Sequence, residues 1–145
     1  MARTFFMARF EEGTLALLRL VAGLMLMQHG VQKLFGLLLP PDRAANAVEL
    51  ISQRGLAGVL EVFGGMLLAI GLFTRPVAFV LSGLMAAAYF LAHVPEGPWP
   101  ILNRGELAAA YCFLFLYFSA RGGGPHSVDG FLQRRRRNAR LDFVR

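Results

Sequence analysis

Long apolar runs broken by short polar punctuation organise this chain. The first covers about residues 14–39, with Glu11 and Glu12 just before it and Pro40-Pro41 at its end. Roughly 20 apolar residues cross a hydrocarbon core as a helix, so this run is long enough to tilt or protrude. A polar stretch, residues 42–54, follows, and a short surface helix is predicted over about residues 44–52. The second run covers about residues 55–73 and the third about 76–94, with only Thr74-Arg75 between them. So short a connection predicts an antiparallel hairpin, and Pro76 suits a first helical turn, where its missing N–H is not needed. Pro95-Glu96-Gly97-Pro98-Trp99-Pro100 reads as a stiff loop whose tryptophan fits a membrane interface. The fourth run, about residues 105–120, is short; Asn103 stands where an N-cap belongs, and Gly122-Gly123-Gly124-Pro125 ends it. The pattern predicts an all-α integral membrane protein. It is an antiparallel four-helix bundle over residues 14–120, with an N-terminal arm over 1–13 and a basic tail over 121–145.

Composition strengthens that reading. Of 145 residues, 56% are hydrophobic and 17% charged, with a mean hydropathy of +0.52, whereas soluble domains are nearer about half apolar and a quarter charged. The N-terminal run is far longer than the apolar core of a signal peptide and lacks its small-residue cleavage site. The net charge of +6 is concentrated late, in Arg134, Arg135, Arg136, Arg137, Arg140 and Arg145. A cluster beside a membrane helix points to anionic headgroups, at ~1 kcal/mol per residue, or to a partner, and not to nucleic acid. With four spans, ten of the Lys and Arg residues fall on the face carrying both termini and three on the other (Arg43, Arg54 and Arg104). The positive-inside rule then puts both termini in the cytoplasm.

Ionisable groups inside apolar runs mark functional sites by default. His29, Gln32 and Lys33 share one face of the first span at i, i+3 and i+4. Glu61 lies in the second span, ahead of Gly64, Gly65 and Gly71, small residues that let helices approach closely. Lys33 is the natural partner for that carboxylate, and the pair reads equally as a register pin and as a site. Tyr89 and His93 end the third span; Asn103, Arg104 and Glu106 open the fourth, with Asn103 and Glu106 at capping-box spacing. Together these residues form a candidate polar pocket toward the outer leaflet. Arg19 reads as a snorkelling residue at the inner interface, and Cys112, the lone cysteine, as a buried inert thiol. No short-range metal-ligand motif is present, and no metal is expected.

Read in order, these segments resemble the DoxX family of small four-span membrane proteins. The likeness rests on His29-Gly-Val-Gln-Lys33-Leu34, on Glu61-Val-Phe-Gly64-Gly65 through Gly71-Leu-Phe-Thr74-Arg75, and on Met85-Ala-Ala-Ala88 with His93. It continues in Asn103-Arg-Gly-Glu106 and in Gly122-Gly-Gly-Pro-His-Ser-Val-Asp129. Members resemble the membrane subunit of thiosulfate:quinone oxidoreductase, and others associate with redox-stress assemblies of the bacterial inner membrane. The resemblance therefore implies an inner-membrane protein whose pocket takes a quinone or another small ligand. Lys33 and Arg104 would hold negative charge there, and Glu61, Glu106 and His93 would move protons. The sequence carries no flavin, haem or iron–sulfur signature, so no intrinsic cofactor is expected and electrons would come from a partner subunit or the ligand. Two other readings stay open. One is a non-catalytic anchor or assembly partner for a redox or stress complex. The other is a proton-coupled transporter of a small solute, which a homo-oligomer would enlarge.

Overall fold

The computed structural model describes residues 2–38 and 51–143, with side chains over residues 7–38 and 51–141. Every regular element among them is helical: α1 (Ala2–Phe35), α2 (Gln53–Ile70), α3 (Thr74–Ala88), α4 (Glu106–Arg121) and α5 (Val128–Phe143). A π-helical turn, Tyr89–His93, and a 3-10 turn, Val94–Glu96, prolong α3. The surface helix predicted over residues 44–52 falls mainly outside the described residues; Ser52, within them, caps α2 by accepting from Gly55 N at 3.0 Å.

Helices α1 to α4 form the bundle, α1 packed mainly on α2 and α3 on α4. Three of the helical segments, Met7–Phe35, Gln53–Ile70 and Thr74–Glu96, are long and apolar enough to cross a membrane. At about 1.5 Å per residue, α4 reaches only some 24 Å. Leu26, Leu68, Leu81, Phe115 and Phe118 fill the interior, while Leu17, Leu24, Phe63, Phe79, Phe90 and Phe113 face outward. An apolar belt of that kind would be an aggregation liability in water and is what a lipid-facing surface requires.

Both ends carry more helix than the sequence reading specified. Helix α1 begins at Ala2, so the residues read as an arm are mostly helix, and it stops at Phe35. The residues read as a basic tail contain α5. The extension of α1 is held by an ion pair: Arg121 Nη2 donates to Glu12 Oε1 at 2.7 Å, and Glu11 lies 3.6 Å away. That contact puts the early part of α1 beside the end of α4. With the α2–α3 turn and the start of α5 it defines one end of the bundle, called the near end below; the opposite end is the far end.

Glycine sets the α1–α2 distance. A Cβ on Gly23 would come within 2.5 Å of Gly65 O, and one on Gly30 within 2.7 Å of Gly58 O. Gly64 faces α3 instead, where a Cβ would meet Leu81 at 2.7 Å. Gly71 takes a left-handed conformation (φ 72°) at the end of α2 and turns the chain into α3. The three glycines singled out for packing are thus all at close approaches. Gly23, Gly30 and Gly58 were missed, although their spacing of seven on each helix is a visible signal.

Candidate functional site

The sequence-predicted polar residues fall into two groups. The first lies on the α1–α2 seam. Lys33 Nζ and Glu61 Oε1 form a direct ion pair, with Glu61 2% exposed and its Oε2 left without a hydrogen-bond partner. Local geometry explains the meeting. Lys33 Cβ is level with Gly58, and helical side chains lean toward the N-terminus, so the lysine reaches one turn deeper, to Glu61. His29 is half-buried one turn before Lys33. Gln32 Nε2 donates to Leu38 O at 3.1 Å and closes the end of α1.

The second group lies at the far end, where α3 passes into the loop before α4. The π-helical turn stacks Tyr89 on His93, centroids 6.4 Å apart. His93 Nδ1 is 3.0 Å from Asn103 O; because a carbonyl only accepts, Nδ1 carries the proton, and a neutral ring then offers Nε2 as an acceptor. Asn103 is completely buried, donating from Nδ2 to Gly97 O at 2.6 Å and accepting from Gly105 N at 2.8 Å. Tyr89 Oη donates to Pro98 O at 3.2 Å.

Asn103 is therefore not the helix cap expected of it. Gly105 occupies the N-cap position and Glu106 is the first helical residue, so the capping box does not form. The backbone turns sharply before the helix: Arg104 is left-handed (φ 57°), and Gly105 packs so closely on Tyr89 that an added Cβ would come within 2.7 Å of its ring. Arg104 and Glu106 are both exposed. Glu61 and His93 also stand at different levels. It is the ninth of 18 residues in α2, about 15 Å from the near-end turn, whereas His93 is about 28 Å from it. The acid and the imidazole thus sit at levels roughly 13 Å apart. Lys33 with Glu61, and Tyr89 with His93 and Asn103, are brought together as two centres. Among the described residues no three metal-ligating side chains converge.

The near end holds a polar assembly that the sequence reading missed. Arg19 does not snorkel; it is 2% exposed. Its Nη1 donates to Leu68 O at 2.6 Å and to Ala69 O at 2.7 Å, and its Nη2 to His126 O at 2.9 Å. A cation on the last carbonyls of α2 also meets the negative end of the helix dipole. Asp129, on α5, accepts from Phe73 N at 2.9 Å and Thr74 N at 2.8 Å, while its own N–H donates to Gly71 O at 2.9 Å. It thus caps α3 from 56 residues away, where Phe73 is left-handed and offers no side-chain cap. Glu12 holds the Arg121 guanidinium in its charged form even more firmly than usual, through the hydrogen bond and its negative charge. In the middle of the α3–α4 interface, Ser82 Oγ donates to Cys112 O at 2.8 Å, and the half-buried Cys112 thiol lies 3.6 Å from the same hydroxyl.

A bundle of long apolar helices with an apolar outer belt and a buried acid paired to a lysine defines a multi-pass helical membrane protein. The DoxX family model matches residues 14–94, which include α2, α3 and most of α1. A protein of Haemophilus influenzae described as uncharacterized is 42% identical over 124 residues, covering 83% of this chain and 92% of that relative. The chain belongs to the DoxX family. No solved structure matches it.

Proposed function

We propose that the protein is a redox-associated membrane subunit that holds a quinone, or a similarly small carbonyl-bearing ligand, against the Lys33–Glu61 pair. One observation carries this reading: an acid buried inside an apolar bundle keeps one carboxylate oxygen, Oε2, without a partner, beside a lysine that is only part-buried. A pair serving only to fix register would be expected to satisfy both oxygens, because an unmatched buried acceptor costs about 1–3 kcal/mol. Lys33 would polarise a ligand carbonyl and Glu61 would deliver or take its proton. Reduction of a quinone to a quinol takes two electrons and two protons. The protons enter here through Glu61, and the electrons come from a partner subunit. His93, with Nε2 free at the far-end surface, would exchange protons with water.

The same reading places the chain in the bacterial inner membrane with the near end in the cytoplasm, supported by the ten-to-three distribution of Lys and Arg between the two faces. The anchor or assembly reading draws support from α5, a basic helix whose arginines stand exposed outside the bundle.

The test is quinone binding to the full chain in nanodiscs, read by native mass spectrometry, for wild type and the double variant Lys33→Gln with Glu61→Gln. We expect the double variant to lose the ligand while its thermal unfolding changes little. Unaltered quinone binding would end the proposal. A stoichiometric soluble partner co-purifying with an empty seam would favour the anchor.

A further inference from the structure

A cleft of about 690 Å³ opens at the near end, where α3 begins, α4 ends and α5 crosses them. The Lys33–Glu61 site makes no use of it. Arg75, Arg121, Arg134 and Arg137 line it, with Asp129 as its one acid. That acid is already engaged, both oxygens accepting from the start of α3. Arg121 is engaged with Glu12. No ion pair among the described residues involves Arg75, Arg134 or Arg137, so the cleft carries a net positive charge that its one carboxylate does not balance.

A second, independent observation points the same way. Thr74 also lines the cleft; it is completely buried, and its Oγ1 has no hydrogen-bond partner. Gly123 packs closely against it. A Cβ on Gly123 would strike Thr74 Oγ1 at 2.6 Å.

We propose that this cleft binds a phosphate group, supplied by the headgroup of an anionic phospholipid. Guanidinium groups pair with phosphate oxygens through parallel charge-assisted hydrogen bonds, and an unpartnered hydroxyl gives one more donor. The bilayer is the favoured source because the cleft lies where α3 begins and α4 ends, the level at which hydrocarbon gives way to headgroups. Its volume also exceeds what a bare phosphate fills. Only part of the arginine run takes part. Arg134 and Arg137 share the face of α5 that carries Gly130, whereas Arg135 lies over the Phe131 ring at 5.7 Å, outside the cleft.

That division supplies the control. The full chain is reconstituted in nanodiscs of phosphatidylglycerol and phosphatidylcholine, and lipid retained per chain is counted by native mass spectrometry. One variant carries Arg75→Gln, Arg134→Gln and Arg137→Gln; the other carries Arg135→Gln, Arg136→Gln and Arg140→Gln, removing the same charge outside the cleft. All six side chains are exposed, so both variants should fold, which circular dichroism checks. Phosphatidylglycerol retention is expected to fall about tenfold or more in the cleft variant and to change less than about threefold in the control. Thr74→Val should give a smaller loss in the same direction. Equal losses in the two arginine variants would mean diffuse attraction to the surface and would overturn the site. Tight binding of inorganic phosphate in micelles, dependent on the same residues but without retained phosphatidylglycerol, would overturn the lipid as its source.

Discussion

Replacing Arg19 by methionine keeps the reach of the side chain and removes every donor from a junction of three elements. The native guanidinium makes three hydrogen bonds to carbonyls, at 2.6, 2.7 and 2.9 Å. Bonds to a charged group contribute about 1.5–3 kcal/mol each, and burying the cation costs several kcal/mol in return. The acceptors left behind decide the balance. Leu68 O retains Gly71 N at 3.1 Å. Ala69 O has no such reserve, because the Phe73 N–H that would continue the helix is committed to Asp129. One orphaned buried carbonyl, at about 1–3 kcal/mol, and the loss of the tie to His126 O together give a net destabilisation of about 3 kcal/mol. Unfolding in mixed micelles, followed by the fluorescence of Trp99, would measure it. Arg19→Lys should recover about half of the loss, since one ammonium can serve the two α2 carbonyls but not His126 O as well. A methionine variant within about 0.5 kcal/mol of wild type would show that burial of this cation is incidental.

Other substitutions probe separate contacts. Lys33→Met alone strands the Glu61 carboxylate and should cost about 2–3 kcal/mol, while adding Glu61→Met should restore most of it, the same unfolding titration reading both. Gly23→Leu should separate α1 from α2 and cost more than about 2 kcal/mol, whereas Gly83→Ala, inside α3 where an added Cβ meets nothing within 4 Å, should cost nothing and stabilise by up to about 1 kcal/mol in the same assay. Asp129→Asn leaves one oxygen to cap α3 and should lower stability by about 1–2 kcal/mol; hydrogen exchange should then rise at Phe73 and Thr74 first.

What the sequence disclosed, and what it hid, divides by range. The spans, the α2–α3 hairpin and the glycine stop after α4 were legible because hydropathy, proline and glycine act locally. The Lys33–Glu61 pair was legible because two isolated charges in apolar runs have few other partners. Glu61 and His93 were read into one pocket because the spans give each residue only a rough axial level, whereas α2 sets the acid at its ninth residue of 18. Arg19 and Asp129 were hidden for a different reason. Each acts on backbone groups far along the chain, and backbone groups leave no mark in the pattern of side chains. The antiparallel register implied by Gly23 with Gly65 would have set Arg19 against the end of α2, where a buried cation has carbonyls to meet. Asn103 was misread because the capping spacing fits it, while the side chain is spent inside the loop, on Gly97 O and Gly105 N.

The long-range cap has a consequence for biogenesis. The hairpin of the second and third helices can enter the bilayer as soon as it leaves the ribosome, yet the carboxylate that locks its turn is translated 56 residues later. Until then the amides of Phe73 and Thr74 must borrow water or lipid oxygens. The turn therefore gains its last hydrogen bonds only when α5 has docked.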